Sequence, residues 1–420
     1  MEYVSTRNID GEGISASAAI LQGLAPDGGL YIPRQMPKVS GEFTLTKGLW
    51  YAMYTALKPF FEGDELEEDL EDICKSAFNF PIPFFKDGEK ETMELFYGPT
   101  AAFKDFGARF LAFSMEKLLE KRNEDLTILV ATSGDTGGAV ASAFHGRKHL
   151  KVKVLFPEGR VAERQRRQLT GWDGNVQSFE VEGSFDDCQK MVKTAFMDDN
   201  YKGLSSANSI NLGRLLPQCA YYVYAASLYE TRHGKKPVVI IPSGNVGNCT
   251  GAYWAKAMGA PIEKIVLGVN ANKTIPDYLS TGEYKPRPSV QTLANAMDVG
   301  APSNMERLFA LYPTYEEFKG EVEAYSVSDE EIKETIKLEY IERKHIVCPH
   351  TAVGEKVRRD HYPDSPSIVV ATAHPAKFDT IVEPLIGEKV AIPASLYDIM
   401  QKPSRSRHID TDYTMLFFWD

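Results

Sequence analysis

The sequence predicts an α/β protein whose strands form mostly parallel sheets flanked by helices. Short β-branched runs such as L-T-I-L-V-A (126–131) and P-V-V-I-I (237–241) are bounded by turn formers, as expected of buried strands. Most of these runs precede a segment of helical composition, and this alternation favours right-handed crossovers within parallel sheets. With 420 residues, 43% of them hydrophobic, the chain can bury a large core in two or three lobes.

The strand–loop–helix unit divides the chain into three predicted parts. The first 90 residues lack this unit and are predicted to form an N-terminal extension. Residues 91–205 are predicted to form a smaller, mobile α/β lobe, and residues 206–420 a larger one. Within the larger lobe, the stretch 271–345 departs from the pattern and is predicted to be an insertion or an elaborate connection.

Several elements carry their own signals. Ser184 is a predicted N-cap, and Ser328 with Glu331 forms the ends of a predicted capping box. The acidic run E-G-D-E-L-E-E-D-L-E-D-I-C-K (62–75) predicts a surface helix with its leucines and isoleucine on the buried face. Further strands are predicted at L-K-V-K-V-L-F-P (150–157), V-Q-S-F-E-V-E-G (176–183), K-I-V-L-G-V-N (264–270) and P-S-I-V-V-A-T-A-H-P (366–375).

Composition excludes several classes of function. The net charge of −11 leaves no basic footprint for nucleic acid. Five scattered cysteines without a C-x-x-C pair favour reduced thiols in a cytoplasmic protein. We expect no membrane association, because the sequence shows no signal-like N-terminus and no long uncharged apolar stretch. The eight histidines show no paired ligand spacing, so no metal site is expected.

The segment I-I-P-S-G-N-V-G-N-C-T-G (240–251) is a candidate anion-binding loop. It joins a predicted strand to a segment of helical composition that ends at Gly259. The first N–H groups of a helix lack partners within the helix and lie at the positive end of its dipole, so this geometry suits a phosphate. The loop has neither the lysine of a Walker motif nor the acidic partner of a Rossmann fingerprint. The alternative is a turn whose glycines serve only its geometry.

Lys104 is the best candidate for covalent chemistry. It lies between Phe103 and Phe106, after a Gly-Pro turn and at the predicted start of a helix. Burial among aromatic rings and the positive end of a helix both disfavour the ammonium form, and a neutral amine can form a Schiff base with an aldehyde. Taken alone, this context favours an ordinary lysine with a solvated head.

Three features together indicate pyridoxal 5'-phosphate as the cofactor. They are a phosphate loop without a nucleotide signature, a candidate Schiff-base lysine, and a second glycine-rich loop at A-T-S-G-D-T-G-G (131–138). The cofactor carries one phosphate and needs a lysine, and the second loop offers an anion site for a substrate carboxylate.

Motifs along nearly the whole chain resemble those of a known family. They include S-T-R, G-L-A-P-D-G-G-L-Y-I-P, F-Y-G-P-T-A-A-F-K-D-F-G-A-R-F, A-T-S-G-D-T-G-G-A-V, N-S-I-N-L-G-R-L-L-P-Q, S-G-N-V-G-N and A-T-A-H-P-A-K-F. By their number and order the chain resembles the threonine synthases of the longer bacterial and fungal type, within the tryptophan-synthase-β-like enzymes of pyridoxal phosphate fold type II. This resemblance implies two lobes of mostly parallel sheet flanked by helices, with an N-terminal extension, and a smaller lobe that swings over the cofactor.

The resemblance assigns the residues that bind the cofactor. Lys104 is implied to hold it as a Schiff base and then to act as the mobile acid–base. Thr372 matches the position whose hydroxyl faces the pyridine nitrogen, the alternative being a strand-end hydroxyl bonded to the backbone. The cofactor phosphate is implied to bind the loop formed by Ser243, Gly244, Asn245, Val246, Gly247 and Asn248.

The resemblance also implies where the substrate binds. The α-carboxylate is assigned to the loop formed by Thr132, Ser133, Gly134 and Thr136. Asp135 is left out, because its carboxylate would repel the substrate unless it points away. Further contacts are assigned to Asn208, Ser209, Asn211 and Arg214 in the segment N-S-I-N-L-G-R.

The sequence leaves alternatives for the roles of three charged or titratable residues in or near these motifs. Arg214 suits a substrate phosphate, with a structural ion pair as the alternative. Arg109 is a weaker candidate for the same phosphate. His374 is expected to shape the site rather than to transfer protons.

The implied reaction converts O-phospho-L-homoserine and water to L-threonine and phosphate. The alternatives are another lyase of the same fold, such as a serine or threonine dehydratase or a phosphoserine-type lyase, and a catalytically dead paralogue. The oligomeric state, monomer or homodimer, is left open by the sequence.

Overall fold

The computed structural model describes residues 1–39, 45, 47–132, 134–161 and 163–418. Its strands are, in chain order, β1 (Tyr3–Ser5), β2 (Tyr31–Pro33), β3 (Phe84–Asp87), β4 (Lys90–Glu94), β5 (Leu126–Ala131), β6 (Leu150–Pro157), β7 (Val176–Val181), β8 (Leu204–Ser206), β9 (Val238–Pro242), β10 (Lys264–Val269), β11 (Glu323–Ser326), β12 (Ser367–Ala371) and β13 (Arg407–Ile409).

The α-helices are, in chain order, α1 (Ala16–Gln22), α2 (Leu49–Leu57), α3 (Leu70–Ala77), α4 (Lys104–Arg122), α5 (Asp135–Phe144), α6 (Glu163–Thr170), α7 (Phe185–Met197), α8 (Leu212–His233), α9 (Gly247–Met258), α10 (Thr274–Thr281), α11 (Met305–Leu311), α12 (Tyr315–Glu321), α13 (Asp329–Arg343), α14 (Pro349–His361), α15 (Asp379–Ile386) and α16 (Ala394–Met400). Short 3-10 helices lie at Lys58–Phe61, Asn295–Met297, Pro375–Phe378 and Tyr413–Leu416.

Two sheets organise the molecule and confirm the predicted α/β class. The larger sheet has the strand order β11-β10-β9-β12-β4-β3, in which the β3–β4 pair is antiparallel and the other pairs are parallel. The smaller sheet has the order β13-β7-β6-β5-β8 and is parallel throughout. Strands β1 and β2 form a separate antiparallel pair.

The helix α8 is the central packing element between the N-terminal helices and the larger sheet. It packs against α2, α4 and α9, and most of its residues are buried. Burial of apolar surface contributes about 25 cal/mol per Å² to the free energy of folding, so a helix buried to this extent is a major source of stability. It therefore fixes α4, which begins at Lys104, relative to α9, which begins after the glycine-rich loop.

Capping signals predicted from the sequence are confirmed. The Ser184 side chain accepts a hydrogen bond from the Asp187 N–H and opens α7. The Ser328 and Glu331 side chains form the expected capping box at α13. In each case a side-chain oxygen satisfies a backbone N–H that has no partner within the helix.

Strands at two places in the chain belong to a different sheet from the one that the predicted segment boundaries imply. Strand β13, which lies in the C-terminal part of the chain, pairs with β7 in the smaller sheet. The β3–β4 hairpin spans the boundary at residue 90 and lies in the larger sheet. A three-residue strand carries too little pattern to be recognised, whereas the two-residue loop Gly88–Glu89 between β3 and β4 begins with a glycine of positive φ, which is a known hairpin signal.

The acidic run at 62–75 is helical only in its second half. Helix α3 begins at Leu70, and the residues before it form turns, although Leu66 is buried as expected. The Asp64 side chain explains the turn, because it accepts hydrogen bonds from the N–H of Leu66 and from Ser17. This local bonding competes with the helix.

Candidate active site

The candidate site lies at the carboxyl ends of parallel strands from both sheets. The loops that follow β5, β9 and β12 carry the predicted carboxylate loop, the predicted phosphate loop and Thr372. Ligands in open α/β sheets bind at this edge, because the loops there converge. The topology therefore places these three segments at the carboxyl ends of their strands.

The turn that carries Lys104 is held against the end of β12. The Phe103 N–H donates to the Thr372 carbonyl at 2.8 Å, and the His374 N–H donates to the Ala101 carbonyl at 3.0 Å. The buried Asp105 carboxylate accepts from the Thr100 N–H at 2.9 Å and from the Thr100 hydroxyl at 2.7 Å. These bonds fix the first turn of α4 and confirm that Lys104 begins that helix.

Lys104 lies in a setting that favours its neutral amine. Burial lowers the pKa of Lys104 from 10.5 to about 8, the Lys377 and Arg214 cations lower it too, and the Asp135 carboxylate opposes them. Its Nζ lies 5.8 Å from the Phe103 ring centroid, whereas Phe106 packs with Phe80 inside the core. Burial and neighbouring cations, rather than two flanking rings, therefore perturb this lysine.

The loop after β9 is a strained, glycine-rich turn that opens α9. Val246 adopts the left-handed conformation with φ of 62°, which is unusual for a β-branched residue. Such strain concentrates at functional sites, where the surrounding structure imposes it. At Gly244 a Cβ atom would lie 2.6 Å from the Met297 Cα, so only glycine lets the segment Asn295–Met297 cross the loop this closely.

Two buried tyrosines orient the last residue of this loop. The Asn248 Oδ1 accepts from the Tyr222 hydroxyl at 2.8 Å and from the Tyr221 hydroxyl. Its Nδ2 is buried and has no partner among the described residues. Because the two hydroxyls occupy the oxygen, the amide presents a donor that an anion in the loop would satisfy.

The rest of the loop is bonded to neighbouring segments. The Asn245 Nδ2 donates to the Ser209 hydroxyl at 2.7 Å, and its Oδ1 accepts from the Ser303 N–H at 2.6 Å. The Ser243 hydroxyl donates to the Ile241 carbonyl at 3.0 Å. These hydrogen bonds fix the conformation of the loop. They occupy the Asn245 and Ser243 side chains, so the groups left to bind a ligand are the backbone N–H groups at the start of α9.

The predicted carboxylate loop is organised by Thr132. Its hydroxyl accepts from the N–H groups of Gly134 and Gly137, both at 3.0 Å, so this side chain shapes the loop. Gly134 is buried and Thr136 is partly buried at the start of α5. Ser133 lies outside the described residues.

The Asp135 carboxylate is engaged by a lysine from the other side of the site. The Lys377 Nζ lies 2.7 Å from the Asp135 Oδ1, and Gln165 donates to the same oxygen at 3.1 Å. Burial would raise the pKa of Asp135, but the Lys377 ammonium, with Lys104 behind it, lowers that pKa well below its ordinary value. The carboxylate is therefore ionised and paired.

The segment from Asn208 to Arg214 contains polar side chains, and that of Asn211 is bonded to the backbone. Asn211 is fully buried and caps α8 through the Gly213 N–H, while its Nδ2 donates to the Ile20 and Ser206 carbonyls. Asn208 is partly buried. Asn211 thus holds the segment in place rather than facing a ligand.

Arg214 is a buried cation without a carboxylate partner among the described residues. One of its Nη atoms donates to the Ala207 carbonyl, and its Nε has no partner in that part of the chain. At Gly107 a Cβ would lie 2.6 Å from the Arg214 carbonyl oxygen, so glycine allows α4 and α8 to approach closely here. Burial lowers the pKa of Arg214 to about 10.

Arg109 is turned away from the site. Its Nε donates to the Ala77 carbonyl at 2.9 Å and its Nη2 to the Ser76 carbonyl at 2.6 Å. The prediction that it could bind a substrate phosphate is therefore wrong. Five positions separate it from Lys104, which places its side chain over the end of α3 instead.

Two histidines, the buried His350 and the partly buried His374, have lowered pKa values and favour the neutral form. Burial lowers the pKa of His374 to about 4, and its Nδ1 accepts from the Ala376 N–H. Burial likewise lowers the pKa of His350 to about 4, and its Nε2 accepts from the Ala296 N–H at 3.1 Å. His374 thus caps the 3-10 helix that carries Lys377, consistent with a shaping role.

Sequence reasoning missed Lys377, His350 and the tyrosine pair. Lys377 lies within A-T-A-H-P-A-K-F, one of the motifs that resemble the family, and this position was the signal that could have pointed to it. Nothing in the local sequence marks His350, Tyr221 or Tyr222, because their partners lie far away along the chain.

Comparison with known proteins defines the class. A family model described as pyridoxal-phosphate dependent enzyme matches residues 93–371. A solved structure of pyridoxal-phosphate-bound threonine synthase from Brucella melitensis matches with a TM-score of 0.92 and 35% identity, over 100% of this chain and 98% of that chain. The fold is that of a pyridoxal-phosphate-dependent enzyme of fold type II.

Further matches are more specific. Models of the N terminus and the C-terminal part of threonine synthase match residues 2–78 and 351–416. Threonine synthase from Escherichia coli is 37% identical over 417 residues, covering 96% of each chain, and that from Saccharomyces cerevisiae is 34% identical, over 97% of this chain and 95% of the relative. The chain belongs to the threonine synthase family, and the alternative lyases are not favoured.

The residues present fit the cofactor of this family. The buried Asn248 Nδ2 lacks a partner among the described residues and lies in the first turn of α9, where a phosphate would also meet free backbone amides. Lys104 supplies an amine whose pKa is lowered to about 8. The donors thus suit one phosphate and one aldehyde.

Across the described residues, no helix combines the length and apolar character needed to cross a membrane.

Proposed function

We propose that the chain converts O-phospho-L-homoserine and water to L-threonine and phosphate, with Lys104 as the catalytic residue. The observation that supports it best is the Lys104 amine, whose pKa is lowered to about 8 and whose turn is held against the end of β12. An amine that is partly neutral near pH 7 can both form a covalent link and carry protons.

When bound, pyridoxal phosphate withdraws electrons from the substrate Cα. In the proposed reaction the Lys104 Nζ accepts the proton from Cα, assists removal of the proton at Cβ, and returns a proton as threonine forms. The hydrogen bonds that the Thr100 N–H and hydroxyl donate to the Asp105 carboxylate keep this amine at the start of α4. A fixed amine is needed because proton transfer depends on short, aligned distances.

The phosphate of the cofactor is proposed to bind the loop from Ser243 to Asn248. Its ligands would be the backbone amides at the start of α9 and the Asn248 Nδ2. Thr372 is proposed to face the pyridine nitrogen, because its carbonyl accepts from the Phe103 N–H in the Lys104 turn and the residue is buried there.

The substrate is proposed to bind between the loop and the segment around Arg214. The N–H groups in the first turn of α5, including that of Thr136, would hold the α-carboxylate, whereas the Gly134 N–H already donates to the Thr132 hydroxyl and shapes the loop. Arg214 and Ser209, with Asn208, would hold the substrate phosphate. The support for Arg214 is its buried, unpartnered Nε, which an anion would satisfy.

Turnover of O-phospho-L-homoserine by the purified protein tests this proposal. We expect threonine and inorganic phosphate in equal amounts, and loss of both products in Lys104→Ala. Lys121→Ala is the matched control, because Lys121 lies on the same helix but pairs with Asp69 near the surface. Release of a keto acid instead of threonine would contradict the proposal.

The role of Arg214 is tested by inhibition with inorganic phosphate. Arg214→Gln should weaken both phosphate inhibition and substrate binding by about 10- to 150-fold, because a charged hydrogen bond contributes about 1.5–3 kcal/mol. Arg109→Gln should leave phosphate inhibition unchanged, since its guanidinium binds backbone carbonyls at the end of α3.

The cytoplasm is the proposed location. All five cysteines are unpaired and buried, which fits a reducing compartment. Recovery of the active enzyme in the soluble cytoplasmic fraction would support this location, and recovery outside it would contradict it.

A further inference from the structure

One buried ion pair joins the two halves of the site. Lys377 follows β12 of the larger sheet, and Asp135 follows β5 of the smaller sheet. The Lys377 Nζ lies 2.7 Å from the Asp135 Oδ1, and the two side chains are 0% and 4% exposed. The pair is therefore a direct, water-excluded link between the sheets.

Lys377 also contacts the turn that carries Lys104. Its Nζ donates to the Thr100 carbonyl at 2.9 Å, and the same carbonyl accepts from Gln168 of α6 at 3.0 Å. Arg164, also on α6, pairs with Asp379 at 2.8 Å. Lys377 thus lies at the centre of a set of contacts that draws α5, α6 and the Lys104 turn together.

The position of Asp135 makes this pair relevant to substrate binding. Asp135 is the first residue of α5, where the proposed function places the substrate α-carboxylate. Two carboxylates about 7 Å apart at an effective dielectric constant near 20 repel by an amount equivalent to roughly 50-fold in affinity. An engaged Asp135 avoids this repulsion, because the Lys377 ammonium cancels its charge.

After Lys377, the charge of Lys104 is the next that lowers the pKa of Asp135. If Lys377 were absent, the Asp135 carboxylate would be free to pair with the Lys104 ammonium instead. That pairing would hold the catalytic amine in its charged form. Engagement by Lys377 therefore protects both the carboxylate loop and Lys104.

We propose that Lys377 is a positioning residue that holds the Asp135 carboxylate away from the substrate and from Lys104, and so prepares the loop at the start of α5 for a substrate carboxylate. This inference rests on the proposed function. Lys377 acts through Asp135 and does not touch the substrate. It explains how an acidic residue is accommodated within an anion-binding loop.

The test is a double-mutant cycle with O-phospho-L-homoserine as substrate. Lys377→Met should raise KM roughly 10- to 100-fold, because it leaves Asp135 unpaired beside the substrate. Asp135→Asn in the same chain should restore KM to within about fivefold of the wild type, because it removes the charge that Lys377 neutralised. Lys389→Met is the control, since the Lys389 side chain is almost fully exposed and pairs with Glu383 at the surface.

The double variant separates this role from direct contact. If Lys377 bound the substrate itself, the double variant would bind as weakly as Lys377→Met, and the inference would be overturned. A KM for Lys377→Met equal to the wild-type value would overturn it as well. Absence of turnover in the wild-type protein would instead overturn the proposed function.

Thermal unfolding of the cofactor-free protein provides a second readout. Lys377→Met should lower the midpoint by about 5 °C or more, because a buried charge loses its partner. Asp135→Asn in addition should recover most of that loss. If the double variant unfolds no higher than Lys377→Met, the two side chains are not coupled and the inference is overturned.

Discussion

The lowered pKa of Lys104 gives a prediction that can be measured without turnover. Burial, with the Lys377 and Arg214 cations, lowers this pKa from 10.5 to about 8. At pH 7 an amine with a pKa near 8 is neutral in about a tenth of molecules, which is roughly 300 times the neutral fraction of an ordinary lysine. Since only the neutral amine attacks electrophiles, Lys104 should react far faster than a solvated lysine.

Competitive acetylation of the cofactor-free protein measures this reactivity. Trace acetic anhydride is added with a model amine at each pH from 6 to 11, and modification of the Lys104 peptide is quantified by mass spectrometry. The expected midpoint lies near pH 8, with reactivity rising as the pH rises through it.

Two variants give opposite shifts of this midpoint. The Asp135 carboxylate stabilises the Lys104 ammonium, so Asp135→Asn should move the midpoint to lower pH. The Lys377 ammonium disfavours that cation, so Lys377→Met should move the midpoint to higher pH. A midpoint near 10.5 in the wild type, or shifts of the same sign in both variants, would refute the reasoning.

Three further predictions concern the cofactor loop and a helix cap. Asn248→Leu should weaken cofactor binding about 10- to 150-fold, because it removes a donor to a charged phosphate; Tyr222→Phe should weaken it less, and absorbance titration measures both. Gly244→Ala should cost about 1–3 kcal/mol of stability, measured by urea unfolding, because its Cβ would lie 2.6 Å from the Met297 Cα. Ser328→Ala should cost about 1 kcal/mol by the same method and leave turnover unchanged, since it only caps α13.

The sequence predicts those parts of the fold that depend on local pattern. The run L-T-I-L-V-A forms β5 as expected, and the Ser184 and Ser328 caps lie where they were predicted. In each case the forces act within a few residues, through alternating burial or a single side chain that satisfies a backbone N–H. The start of α4 at Lys104 follows the same logic.

The parts that could not be predicted depend on contacts between distant segments. The partners Asp135 and Lys377 are 242 residues apart in sequence, as their numbers show. Strand β13 is three residues long and is defined mainly by its pairing with β7. Such features arise from tertiary packing, which a local pattern does not encode.

Covalent capture of the cofactor tests the central claim most directly. The cofactor-loaded protein is treated with borohydride, which reduces a lysine–aldehyde link to a stable bond, and the modified peptide is identified by mass spectrometry. The account predicts modification of Lys104 alone, with loss of the bound cofactor's visible absorbance and of turnover. Modification of another lysine, or full turnover after reduction, would contradict it.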